Sequence, residues 1–284
     1  MMTDKRVDIG LYIKSENLNL KQIAESGQCF RMNEICDGRY SLVAFGEYVE
    51  LLQIEENEIR ILGTSEDRRP QWEEYFDLHY DYGALVQKLS ECGDEFLKRA
   101  AAFGSGLRIL RQDPFEVLIS FIISQNKNIP AIKSAIEKLC ERFGEKKRWS
   151  ENPDLVYYTF PSPESIAAAE KEDLRALGLG YRDEYVLGAA RAVSEGRLDI
   201  HGLKSMDYEQ IMEELMRLRG VGKKVANCVA LFGFHKLRSA PVDVWIARVL
   251  DQVYEGRFSW ESYGDHAGIV QQYMFYYIRN CSQS

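Results

Sequence analysis

Two lysines, Lys223 and Lys224, follow directly on a Gly220-Val221-Gly222 turn, and Asp243 lies nineteen residues beyond Lys224 in the run Pro241-Val242-Asp243. An amine can attack a carbon that bears a leaving group and stay attached as an iminium ion, which a hydroxyl cannot do. To attack, it must be partly neutral. Partial burial beside a second cation such as Lys223, with the positive end of a helix adjoining, favours that form. The ordinary fate of such residues is plainer: a lysine on a helix is solvated, and an aspartate before a helical stretch is an N-cap. For Asp243 the cap and the chemistry are compatible, because a carboxylate at a helix start stays ionised and can stabilise positive charge developing beside it.

The elements that must position these groups are legible around them. Two glycines permit left-handed backbone and close approach at the 220–222 turn, and the amides opening the next helix form a cradle for a phosphate. Asp207 reads as the cap of the preceding helix, so residues 207–233 form a helix-hairpin-helix unit. Upstream, Asp113-Pro114, Asn128 with Pro130, and Ser162-Pro163 mark further helix starts, Gly144 a helix end, and residues 181–194 another helix. Gly178-Leu179-Gly180 echoes the 220–222 turn. Residues 40–62 instead alternate apolar and polar around a polar turn at 55–58, which is a strand pattern. The expectation is an α+β chain, with an N-terminal antiparallel β-sheet domain over 1–104 and a wholly helical domain over 105–284.

A chain of 284 residues that is 45% hydrophobic and 12% aromatic can bury a substantial core. The first ten residues carry no apolar stretch, and the apolar runs at 117–123 and 225–234 are too short to span a bilayer, so we expect a cytoplasmic protein without a membrane partner. Six scattered cysteines form no CxxC pair, which leaves zinc and iron–sulfur sites without support. A net charge of −8 argues against a partner held by a broad basic surface. Nucleic acid stays open, because residues 108–148 are locally basic and helix-start amides bind phosphate without net charge.

With these pieces assembled, the chain resembles the helix-hairpin-helix DNA glycosylases and, within them, the 8-oxoguanine DNA glycosylase/lyase family. The matching segments are SGQCFR at 26–31, LRQDPFEVLISFIISQNKNI at 110–129, LGLGYRDEYV at 177–186, GVGKKVANC at 220–228 and PVDVW at 241–245. The resemblance implies a sheet domain of the TATA-binding-protein kind. It selects Lys224 over Lys223 as the nucleophile and makes Asp243 the catalytic carboxylate. It assigns the Gly27 carbonyl to the N7 proton that distinguishes 8-oxoguanine from guanine, Gln271 to the Watson–Crick edge, and Phe275 and Cys228 to the two faces of the extruded base. Asn126 would fill the vacated space, Tyr181 wedge beside the opposite base and Arg182 bond it, while Gly220, Val221 and Gly222 hold the backbone. The partner implied is double-stranded DNA containing 8-oxoguanine, bound by a monomer. No organic cofactor is implied, only room for a monovalent cation on the hairpin carbonyls.

Three positions depart from the family. Ala131 stands where a second arginine contacts the opposite cytosine in eukaryotic members, Trp245 where histidine is common, and Ile278 where an acidic residue is. We therefore expect altered opposite-base preference with catalysis retained. Two other readings stay open from sequence. One is a different glycosylase of the superfamily, against which stand the absence of four clustered cysteines after the hairpin and the presence of the lysine. The other is a hairpin protein that binds DNA without chemistry.

Overall fold

The computed structural model describes residues 10–281, so the expectation drawn from the first residues falls almost wholly outside the described part. Five antiparallel strands come first: β1 (Leu11–Lys14), β2 (Met32–Cys36), β3 (Arg39–Ala44), β4 (Glu47–Glu55) and β5 (Glu58–Leu62), in the spatial order β1-β5-β4-β3-β2. The alternation of the sequence is an alternation of burial, with Tyr40, Leu42 and Ala44 of β3 and Ile59 and Ile61 of β5 turned inward. Phe45 and Gly46, at φ 55° and 72°, supply the two left-handed residues that let a two-residue turn join β3 to β4 without splaying them. Helix α1 (Leu20–Glu25) and helix α2 (Arg69–Tyr75) complete this unit, with Trp72 and Tyr75 packing edge-on to Phe45.

The helices that follow are α3 (Tyr82–Ser90), α4 (Glu95–Phe103), α5 (Pro114–Ser124) and α6 (Ile129–Phe143), then α7 (Pro163–Ala167), α8 (Lys171–Leu174), α9 (Arg182–Ser194), α10 (Tyr208–Met216), α11 (Lys223–Phe232), α12 (Val244–Gln252) and α13 (Ala267–Cys281). Four of their starts are side-chain caps read from sequence. Asp113 accepts from the Glu116 amide at 2.9 Å, Asn128 from Ala131 at 2.9 Å and Ser162 from Ser165 at 3.2 Å, while Asp207 and Gln210 close a reciprocal capping box. Helix α5 is apolar all round and almost wholly buried, and α6, α9 and α11 pack around it. Each of its large apolar side chains contributes about 1.5–3 kcal/mol by leaving water, so α5 is the axis on which the site is built.

Two features differ from the sequence expectation. Tyr82, Leu85, Leu89, Phe96, Leu97 and Ala100, on α3 and α4, belong to the helical core, and α4 packs on α13. These two helices precede residue 104 and yet pack with the helices that follow it. The helical part also carries a two-stranded ribbon, β6 (Lys146–Arg148) against β7 (Val156–Tyr158), so it is not all helix.

The two cores are bolted together by buried polar groups. Asp77, just after α2, accepts from Arg111 Nε at 3.0 Å and from the Tyr82 hydroxyl at 2.9 Å. The Arg108 guanidinium donates to the carbonyls of Asn17 and Asp77. Hydrogen bonds to charged partners inside a protein are stronger than those on its surface, which keeps the sheet in fixed register with the helices.

Candidate active site

The hairpin between α10 and α11 turns through Gly220 at φ 85°, where a Cβ would run into the Tyr185 ring. Only glycine fits there. Val221 is buried and fixes the turn, and Gly222 is the N-cap of α11. Gly222 and Lys223 are exposed, whereas Lys224 is half-buried. Its Nζ lies 5.3 Å from the centroid of the Phe121 ring on α5. The two candidate lysines are therefore unlike: Lys223 faces solvent, and Lys224 lies along the wall made by α5.

Cys228, one turn further along α11, is buried on the same side. Burial pushes its thiol up to about 11, the Lys224 ammonium pulls it down, and the Asp243 carboxylate pushes it up again. One sulfur thus feels both candidate groups. Asp243 caps α12, its Oδ1 accepting from the Trp245 and Ile246 amides at 3.0 and 2.9 Å, so Oδ2 takes no part in the cap. The segment leading to Asp243 is pinned to α11 by Asn227. That buried amide donates to the Lys223 carbonyl at 2.8 Å and accepts from Tyr208 at 2.9 Å and from Ser239 at 2.7 Å.

A second group forms around Gly27, which follows α1 at φ 74°. A Cβ there would lie 3.5 Å from Phe275 Cε1 and 3.8 Å from Ile129 Cδ1, so the loop, α13 and the start of α6 converge at this point. The loop is held by Gln28, whose buried amide accepts from the Leu110 amide at 2.7 Å and donates to the Arg108 carbonyl at 2.8 Å. Phe30 meets Phe121 edge-on at 5.3 Å, so the ring beside Lys224 also braces the strand end behind Gly27. Gln271 is buried one turn before Phe275, and its Oε1 accepts from Gln272 at 2.8 Å.

The third group is exposed. Asn126, at φ 51°, donates to the Tyr181 hydroxyl at 3.0 Å, and the Arg182 guanidinium lies 4.4 Å from the Tyr181 ring. Arg182 is itself buried, its Nε donating to the Gln125 carbonyl at 2.7 Å and its Nη1 to that of Leu179. Gly178 and Gly180 both take positive φ, as the echo of the hairpin glycines implied. Among the described residues no cluster of His, Cys, Asp and Glu could hold a metal ion, and no helix is long and apolar enough to cross a membrane.

The comparisons with known proteins decide between the readings left open. Residues 10–118 match the 8-oxoguanine DNA glycosylase N-terminal domain, and residues 119–258 match the helix-hairpin-helix superfamily of base excision DNA repair proteins. A probable N-glycosylase/DNA lyase of Methanothermobacter thermautotrophicus is 33% identical over 74% of this chain and 75% of its own length. The chain belongs to the 8-oxoguanine DNA glycosylase family. The N-glycosylase/DNA lyase of Saccharomyces cerevisiae is 31% identical over 86% of this chain and 70% of its own. The solved 8-oxoguanine glycosylase/lyase of Clostridium acetobutylicum, bound to double-stranded DNA with cytosine opposite the lesion, superposes with a TM-score of 0.88 at 35% identity, over 97% of this chain and 99% of that one. For a family member the five-stranded sheet followed by the hairpin lobe is the expected architecture, and the non-catalytic hairpin reading falls away.

Sequence reasoning passed over four residues that the structure makes central: Phe121, Gln125, Gln28 and Asn227. Only Asn227 carried a signal, as a polar residue in an otherwise apolar helix face. The others gain their roles from tertiary neighbours.

Proposed function

We propose that this chain excises 8-oxoguanine from double-stranded DNA and then cleaves the strand. The Lys224 amine attacks C1′ of an extruded nucleotide, the bond to the base breaks, and the base leaves with a proton; the C1′–O4′ bond then opens, O4′ taking up a proton from solvent. The resulting iminium ion acidifies C2′; loss of that proton expels the 3′ phosphate by β-elimination. Asp243 Oδ2, free of the cap, stabilises the cation that develops as the glycosidic bond breaks. The observation that carries this reading is the buried Cys228 thiol, on which the charges of both Lys224 and Asp243 act, as expected of an amine and a carboxylate that serve one nucleotide.

Gly27, Phe275, Cys228 and Gln271 form the base pocket in this reading, and Asn126 and Tyr181 enter the stack that the base leaves. Arg182 reaches the opposite base only after releasing the Gln125 carbonyl. A monovalent cation would sit on hairpin backbone carbonyls, where it would supply positive charge for a DNA phosphate. Every group named lies in one chain, which supports a monomer.

Borohydride reduction tests the assignment. Duplex DNA containing 8-oxoguanine should yield a covalent complex with the intact chain and with Lys223→Gln, and none with Lys224→Gln. An adduct that persists in Lys224→Gln would remove that amine from the reaction.

A further inference from the structure

We propose that Gln125 is a positioning residue that locks the Asn126 loop onto the Gly220 hairpin, making phosphate capture and base extrusion a single event. Gln125 ends α5, and its side-chain Nε2 donates to the Gly220 carbonyl at 3.0 Å and to the Ile122 carbonyl at 3.2 Å. Its own carbonyl accepts from Arg182 Nε at 2.7 Å and also from Nη2. One residue therefore joins three turns: 125–128, 178–182 and 218–222. A further strut runs from Lys127 Nζ to the Gly178 carbonyl at 2.9 Å.

The bond to Gly220 matters because of what lies on either side of it. Asn126 is a non-glycine residue in left-handed backbone, a conformation of modest cost that surrounding contacts must hold. Gly220 is equally constrained by the Tyr185 ring, whose edge meets Tyr181 at 5.8 Å. Without the amide donor the hairpin keeps its outward N–H groups and Lys224 keeps its helix. The Asn126 loop, however, loses its tether to that helix. DNA would still be gripped, but grip would no longer drive the loop into the stack. This inference rests on the reading above that Asn126 and Tyr181 enter the duplex.

The test compares two duplexes under single-turnover conditions, one with 8-oxoguanine and one with a preformed abasic site, whose nucleotide leaves the stack at little cost. Gln125→Leu should slow 8-oxoguanine excision by about tenfold or more, on the scale of a displaced positioning group, while Kd and borohydride trapping of the abasic duplex change by less than about twofold. Gln125→Glu, isosteric but with an acceptor facing the Gly220 carbonyl, should behave the same way and guards against a folding defect in the leucine variant. Parental excision in both variants would overturn the proposal, as would equal losses on the two duplexes, which would make Gln125 a mere support of the hairpin. Failure of the parent chain to trap either duplex would instead overturn the Lys224 reading, and this inference with it.

Discussion

The Lys224 amine faces the Phe121 ring, 5.3 Å from its centroid, so in the proposed reaction the position that gains positive charge is lined by an aromatic face. A ring face attracts a cation without donating a proton or closing on it as a carboxylate would. Replacing Phe121 with Leu keeps the apolar wall and removes the quadrupole. Borohydride-trappable adduct should fall about two- to fivefold, the equivalent of roughly 0.5–1 kcal/mol. An unchanged yield would show that the ring serves packing alone.

The cap that Asp243 provides and its proposed catalytic duty are separated by one substitution. Asparagine caps a helix about as well as aspartate, so Asp243→Asn should leave thermal stability within about 0.5 kcal/mol of the parent. Excision should fall about a hundredfold or more, as expected when charge stabilisation of the transition state is lost. A large drop in Tm with little loss of rate would reverse the assignment.

Asn227 is a buried amide with its partners on α10, α11 and the segment leading to Asp243. Asn227→Ala leaves the Tyr208 hydroxyl and the Lys223 carbonyl without their partner and Ser239 with only the backbone carbonyl of residue 227, which should cost about 1–3 kcal/mol in denaturant unfolding. Activity should fall further than stability, because the Asp243 segment is released from the Lys224 helix.

Glu116, in the first turn of α5, gives a pH signature. Burial pushes its carboxyl from 4.5 up to about 7, with the Asp113 and Glu137 carboxylates pushing the same way and the Arg31 guanidinium opposing them. The folded chain thus binds a proton that the unfolded chain has released between those two values. Stability from this group is fully present below about 4.5 and is lost as pH rises through about 7. Glu116→Gln should therefore be more stable than the parent at pH 8, with the advantage vanishing towards pH 4.5. Equal pH dependence of unfolding in the two proteins would refute the shift.

Much of this was legible in the chain itself. Caps at Asp113, Asn128, Ser162 and Asp207 are local chemistry, and the alternation along β3 and β5 is local patterning, so both survive folding unchanged. That α3 and α4 join the helical core was not foreseen because the strand pattern that ends at Leu62 drew attention from the helical spacing of Tyr82, Leu85 and Leu89. That spacing says helix but does not say which core the helix joins. Lys224 could not be preferred to Lys223 from spacing, since adjacent residues share the same turn. Only the α5 wall separates them. Gln125 was silent for the same reason, because its partner at Gly220 is 95 residues away.

The burial of Cys228 has a consequence for durability. Oxidants that damage guanine also attack cysteine, and they act on the thiolate. With its thiol held near 11, fewer than about one molecule in a thousand carries that reactive form at neutral pH. A sulfur on the same helix as Lys224 is thereby shielded from the very stress that creates the work.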